Sequence, residues 1–566
     1  MTLRPLLLAA ALLAAPLAAP VTAQGLSGPY LAARIAGYSN DYAAAAAYYD
    51  RLIAAGEPSP AILENAVVIY AALGDVDRAA RAANLLVEGG GQSQFADGAR
   101  LVAFLQEADY AAALALIDDR GVAGALLDGL LRGWIAAASG DMSRALDLFD
   151  TLAENEGFAN IAHLHKAFAL AMAGDYEGAD DILSGRAHGP LGATTRGIEA
   201  HAQVLMQLDR PDDARELLDQ ANEATNSPVL QALSTRLEAG EEIAYDFLTV
   251  PPQGMAEAYF TLAAIFAGET SPTFTLLSAR AATALRPDHL DALVLTAELL
   301  DEQGQHDLAN GVLNRVPRDH PSFFGAEITR AEVLLASGKE DAAVEVLSAL
   351  TKSNADRLPV WSAYGDTLRR LERFEESAAA YDRAIALLEG ESERDWYLYY
   401  VRGIALERQG EENWSRAEAD FRRALELNPD QPLVLNYLGY GLVERRESLD
   451  EALGMIERAV AARPGDGYIT DSLGWVLYRL GRYEEAVEPM ERAAGLEPLD
   501  PIVNDHLGDV LWAVGREREA RFQWRRALSF DPEETEAIRI RRKLEVGLDA
   551  VLVEEGAPSL LEAAQD

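Results

Sequence analysis

Histidine and carboxylate side chains are the groups in this sequence that could do covalent or metal chemistry, and no cysteine accompanies them. Without a thiol there is no disulfide, thiolate metal site, cysteine nucleophile or lipid anchor through cysteine. His163 and His165 are two apart, so on a helix they point to different sides, and neither has a ligand partner one helical turn on. They read as surface histidines. Asp466-Gly467 lacks the alternating acidic ligands and closing glutamate of a calcium loop. No phosphate-cradling glycine loop and no Gly-x-Ser-x-Gly elbow occurs. Acidic pairs such as Asp118-Asp119, Asp180-Asp181 and Glu484-Glu485 are abundant. In a chain with 91 acidic and 49 basic residues they read as solvated faces rather than general acid–base pairs. No catalytic residue, metal ligand or cofactor is expected. The chain reads as a non-enzyme, with an unrecognised hydrolase as the reading from another class.

The chemistry left is recognition, and the element that must position it is a repeat. Pro464, Pro498 and Pro532 stand 34 residues apart. Gly474 and Gly508 keep that step, as do Gly481 and Gly515, Ala486 and Ala520, and Ala493 and Ala527. Two helices of about a dozen residues and two tight turns fill such a period. Gly474 and Ala486 let two antiparallel helices approach closely, while Gly481 can take the left-handed conformation that ends the first helix. Pro498 cannot continue the second helix. Leu473, Leu477 and Met490 supply apolar contacts at helical spacing.

Weaker copies run upstream. Ala167, Gly174 and Ala179 repeat the small residue, turn and alanine, as do Gly133, Gly140 and Ala145. Ala297, Gly304 and Ala309 do so again, followed by Ala331, Gly338 and Ala343. The period is lost over residues 222–252, which read either as a junction between two arrays or as one decorated repeat in a continuous solenoid.

This pattern resembles the tetratricopeptide repeat family residue by residue over 432–532. The resemblance implies an all-α fold, a right-handed solenoid of antiparallel helix pairs in which the first helix of each pair lines a concave groove. Read in that register, the groove presents Tyr397, Tyr400, Tyr440, Tyr468, Trp475, Tyr478 and Trp512, interleaved with Asn436, Asp471, Asp505 and Asp509. Aromatic rings give large contact area at small entropic cost and are enriched in binding hot spots. A clamp for a terminal carboxylate needs Lys, Arg and Asn at such positions. Here they are mostly acidic, so a basic or amphipathic protein segment with apolar anchors is expected.

Net charge of −42 argues against nucleic acid as a partner, since phosphate neutralisation needs clustered Lys and Arg. Met1 to Arg4, the apolar run Leu6 to Leu17 and Val21-Thr22-Ala23 form the three regions of a secretory signal peptide, so periplasmic export with Gln24 first is expected. No later stretch is long and apolar enough to span a bilayer. The expected organisation is a signal peptide at 1–23, a degenerate N-terminal array at 24–221, the junction at 222–252 and a C-terminal array at 253–532. A capping helix at 533–551 and a disordered tail at 552–566 complete it.

Residues 396–532 carry a closer likeness. Leu435-Asn436-Tyr437-Leu438-Gly439-Tyr440, Asp471-Ser472-Leu473-Gly474-Trp475 and Asn504-Asp505-His506-Leu507-Gly508-Asp509 follow one another. This run resembles a Gram-negative envelope family of long tetratricopeptide proteins, whose best understood members bind and activate a periplasmic C-terminal processing protease that degrades peptidoglycan hydrolases. The resemblance implies an adaptor whose partners are that protease and its clients. Those adaptors are lipoproteins, whereas this chain has no cysteine to carry a lipid. A scaffold for another envelope or outer-membrane assembly process is the alternative.

Overall fold

The computed structural model describes residues 27–556, apart from residues 57, 226, 269, 270 and 389. The signal-peptide reading of 1–23 lies outside the described residues. Among them are thirty-one α-helices and no strand, so the all-α expectation holds. The chain divides into two compact units, Met1–Gly338 and Lys339–Asp566.

Local chemistry sets the helix pairs. In the first unit Asp75, Asp109, Asp141 and Asp175 each cap a second helix, their carboxylates accepting from the backbone N–H three residues on. Just before them Gly74 and Gly140 turn the chain with φ of 80° and 85°, which L side chains adopt only with strain.

The first unit has an unexpected interior. Its early first helices, Pro60–Leu73, Gln94–Gln106, Ala125–Ala138 and Ala159–Met172, form one face of the N-terminal array. Two later helices, Pro251–Phe266 and Pro272–Leu285, pack against that face as a plug. The former lies on Ala125–Ala138 and Ala159–Met172, the latter on Pro60–Leu73 and Gln94–Gln106. The fit is close: a Cβ on Gly254 would fall 2.4 Å from the Trp134 ring. Glu257, buried in the plug, accepts from Arg196 at 2.6 Å and pairs with His289 at 3.1 Å. The groove of this array is therefore occupied by its own chain.

His165 departs from the surface reading. It is fully buried, accepts from the Trp134 indole N–H at 3.0 Å, and burial pushes its imidazole down to about 4. Among the described residues no cluster of three metal-ligating groups forms.

The second unit holds the regular repeats. Gly474 faces Met490 and Gly508 faces Trp524 across their helix pairs, at distances where a Cβ would overlap them. Two helices rather than one follow the last repeat: Glu534–Val546 and Leu548–Glu554. Gly547 breaks them with φ of 87°, and Trp512 fills the space where its Cβ would be. Lys543, on the first of these helices, is fully buried.

Candidate protein-binding face

The first helices of the second unit, Trp396–Glu407, Pro432–Glu444, Gly467–Arg479 and Pro501–Ala513, carry the residues singled out by sequence. The structure sorts these into two sets. One set is open. Tyr397 is 38% exposed and its hydroxyl donates to Asp366 at 3.1 Å; Tyr468, on the first turn of its helix, is 55% exposed. Tyr400 is half-buried between Trp396 and Tyr437, ring centroids 5.8 and 5.9 Å away. Tyr440 is half-buried, and burial with the nearby Glu444 and Asp471 carboxylates pushes its phenol well above the usual range. Asn436 is half-buried too, and its side-chain oxygen has no hydrogen-bond partner among the described residues.

The other set is packed between repeats. Trp475 is buried, stacked between Tyr478 at 4.9 Å and His506 at 4.0 Å, and its indole donates to Glu444 at 2.6 Å. Asp471 is buried against His506 Nδ1 at 2.9 Å. Asp505 and Asp509 each accept from Lys543 at 2.7 Å, and Asp509 also accepts from the Trp524 indole at 2.9 Å. Trp512 donates to Asp549 at 2.8 Å and stacks on Trp524. These acidic groups, expected to meet basic side chains of a partner, meet those of this chain.

The physical reason is the period itself. A residue on one first helix lies beside the residue about 34 positions on, so first helices of successive repeats touch side by side. Glu411 pairs with Arg445 at 2.8 Å, Glu444 with Arg479 at 3.5 Å, Asp471 with His506, and Asp509 with Lys543. The result is a ladder of opposite charges running across the repeats. Burial opposes the charge on His506, but Asp471, Asp505 and Asp509 outweigh it and raise its imidazole above the ordinary value. Burial raises the Asp505 carboxyl, with Lys543 drawing it back. Glu444, His506 and Lys543 were missed in the sequence, although their spacing from their partners was a signal that could have found them.

The arrangement offers aromatic and amide groups along a helical face. The tetratricopeptide repeat model matches residues 30–94, 130–183, 328–392, 364–432, 400–467, 442–501 and 472–535. A second tetratricopeptide repeat model matches 291–322. TPR repeat-containing protein PA4667 of Pseudomonas aeruginosa is 29% identical over 188 residues, 33% of this chain and 29% of that protein. The similarity thus spans under a third of that relative's length. Among solved structures, the APC/C hetero-tetramer Cut9-Hcn1 aligns over 93% of this chain and 97% of its own at 16% identity, with a TM-score of 0.39. A tetratricopeptide repeat protein from Parabacteroides merdae aligns over 45% of this chain and 97% of its own, at 16% identity and a TM-score of 0.36. YrrB, a TPR protein with an unusual peptide-binding site, aligns over 31% of this chain and 86% of its own, at 20% identity and a TM-score of 0.26. Its repeat models together cover more than half of the sequence, and this chain belongs to the tetratricopeptide repeat family.

Proposed function

We propose that this chain is an exported, non-enzymatic scaffold that binds protein segments on the first-helix face of its second unit and acts as an adaptor for a periplasmic C-terminal processing protease. The observation that carries the binding reading is the open set: Tyr397, Tyr400, Asn436, Tyr440 and Tyr468 stand on successive first helices without being enclosed. Exposed aromatics such as Tyr397 and Tyr468, with Tyr400 and Tyr440 half-buried beside them, suit an extended or helical segment with apolar anchors. The adaptor role rests on the likeness of residues 396–532 to the envelope adaptors, and export on the pattern of residues 1–23.

The test is affinity capture from periplasm with the chain starting at Gln24, against a Tyr397→Ala/Tyr440→Ala/Tyr468→Ala variant shown to fold by circular dichroism. A C-terminal processing protease is expected with the wild type, and its recovery should fall about tenfold or more in the variant. Equal recovery of every partner would move the interface elsewhere, for instance to the arginine-bearing Glu517–Leu528 helix, where Phe522 is exposed. Capture of other envelope proteins without the protease would sink the adaptor role and leave the scaffold. Fractionation with N-terminal sequencing of the mature protein tests export.

A further inference from the structure

Arg280 is an unusual residue for this chain. It lies in the second plug helix with 7% of its surface exposed, and its Nε donates to the Ala72 carbonyl at 2.8 Å. It makes no ion pair with any carboxylate among the described residues. Half-buried arginines elsewhere are matched, Arg196 by Glu257 and Arg402 by Asp420, as desolvation demands. With 91 acidic side chains against 49 basic ones, carboxylates are in surplus. A buried guanidinium left without one is therefore a specific feature of the place it occupies.

That place is the junction of two recesses. On one side is an apolar cavity of about 90 Å³ between the N-terminal array and the plug, walled by Phe95, Val102, Leu127, Tyr259, Phe274 and Leu277. On the other is a polar recess holding Arg315, whose guanidinium has no ion pair among the described residues and donates to the Pro287 carbonyl at 3.1 Å. Gly74, Val76 and Arg280 line both. Asp75 and Asp77 line the recess as well, but Asp75 is engaged by the Arg78 guanidinium at 2.7 Å and by its helix-capping bond. Burial and the charge of Arg315 pull the Arg280 guanidinium down to about 10, the signature of a cation without a counter-charge. Gly74 has no Cβ, which would lie 3.3 Å from Arg280 Nη1.

We propose that this cavity binds a small amphiphilic monocarboxylate, its aliphatic chain among the apolar walls and its carboxylate on Arg280 with Arg315 beside the mouth. The fork of the guanidinium matches a carboxylate with two parallel hydrogen bonds. A cavity of this size takes a short chain, not a membrane lipid tail. The site belongs to the first unit, and the proposal does not depend on the protein-binding reading of the second.

The probe is sodium hexanoate, titrated calorimetrically into the full mature chain, with hexanol and hexylamine as the uncharged and cationic counterparts. Hexanoate should bind saturably, and hexanol and hexylamine at least about tenfold more weakly, the span expected for a charge-assisted hydrogen-bonded pair. Arg280→Met should lose the preference for hexanoate over hexanol. Gly98→Leu supplies the second test. Gly98 lines the cavity and a Cβ there meets nothing within 4 Å, so leucine should fill the space, leave thermal unfolding intact and abolish binding. Absence of saturable hexanoate binding, hexanol binding equal to hexanoate, or unchanged binding by Gly98→Leu would each overturn the assignment. If Arg280→Met does not fold, the hexanol comparison and Gly98→Leu decide.

Discussion

Two residues of the second unit carry predictions of opposite character. The surroundings of His506 favour its protonated form, so its contribution to stability depends on pH. Its folded imidazole is raised above an ordinary value of 6.5, so folding favours the protonated form. That stabilisation is fully present below about pH 6.5, the unfolded value, and fades as pH climbs through the raised folded value. Denaturant unfolding of wild type and His506→Gln should therefore show a stability gap that is largest near pH 6 and shrinks toward pH 9. A gap independent of pH would mean that Asp471 contributes a neutral hydrogen bond only. The glycines give the second contrast. At Gly508 an added Cβ would sit 2.4 Å from the ring of Trp524, which is buried and tied to Asp509. At Gly474 it would meet Met490 Cγ at 2.5 Å, a flexible side chain that can yield. Gly508→Ala should cost about 1–3 kcal/mol through overpacking. Gly474→Ala should be milder, since alanine also gains about 1 kcal/mol of helix propensity. Equal shifts in thermal melts would contradict this ranking.

Among helices, the plug formed by Pro251–Phe266 and Pro272–Leu285 is the least ordinary feature. Glu257 ties it to the array, and desolvation of that carboxylate is overcome by Arg196 first and His289 second, holding it well below the usual range. Glu257→Gln would leave the Arg196 charge with weaker partners in a buried setting, a change that costs about 3–5 kcal/mol when one member of a buried pair is lost. Urea unfolding checks this; a loss below about 1 kcal/mol would show that the pair is solvated and the plug loosely held. The helix pairs were readable from sequence because Gly474, Gly481, Pro498 and their copies repeat every 34 residues. The plug was not, because Trp134 with Gly254 and Arg196 with Glu257 meet across long separations that follow no period. The same limit applies to the binding face. Helical register gave the correct helices for Trp475, Asp505 and Asp509, but register alone cannot say whether a side chain turns outward or into the next repeat. Lys543 and His506 decided that, His506 from the next repeat and Lys543 from the helix that follows the last one.

At the scale of the whole chain the two first-helix faces differ in what covers them. In the first unit the plug covers the face of the N-terminal array, and Gln106 on its rim donates to the Ala284 carbonyl at the end of the plug, 2.9 Å away. In the second unit Tyr397 and Tyr468 are exposed. A protein partner should therefore be reached from the second unit, and photo-crosslinking can read this directly. A photoreactive phenylalanine derivative at Tyr397 or Tyr468 should form adducts with the captured partner, while one at Gln106 should form none. Adducts at Gln106 would mean that the plug leaves its groove in solution and that the N-terminal array is a second binding surface. Net charge of −42 adds a kinetic expectation. The ladder acids Asp471, Asp505 and Asp509 are neutralised within the chain, so attraction for a basic segment comes from the general field rather than from groove contacts. Such a field accelerates encounter and is screened by salt over about 10 Å at 0.1 M. Raising ionic strength should slow association with a basic partner and leave dissociation nearly unchanged. A matching rise in the dissociation rate would place a desolvated ion pair inside the interface, and the half-buried carboxylate of Asp366, which accepts from Tyr381 and Tyr397 and pairs with Arg369, would be the first residue to substitute.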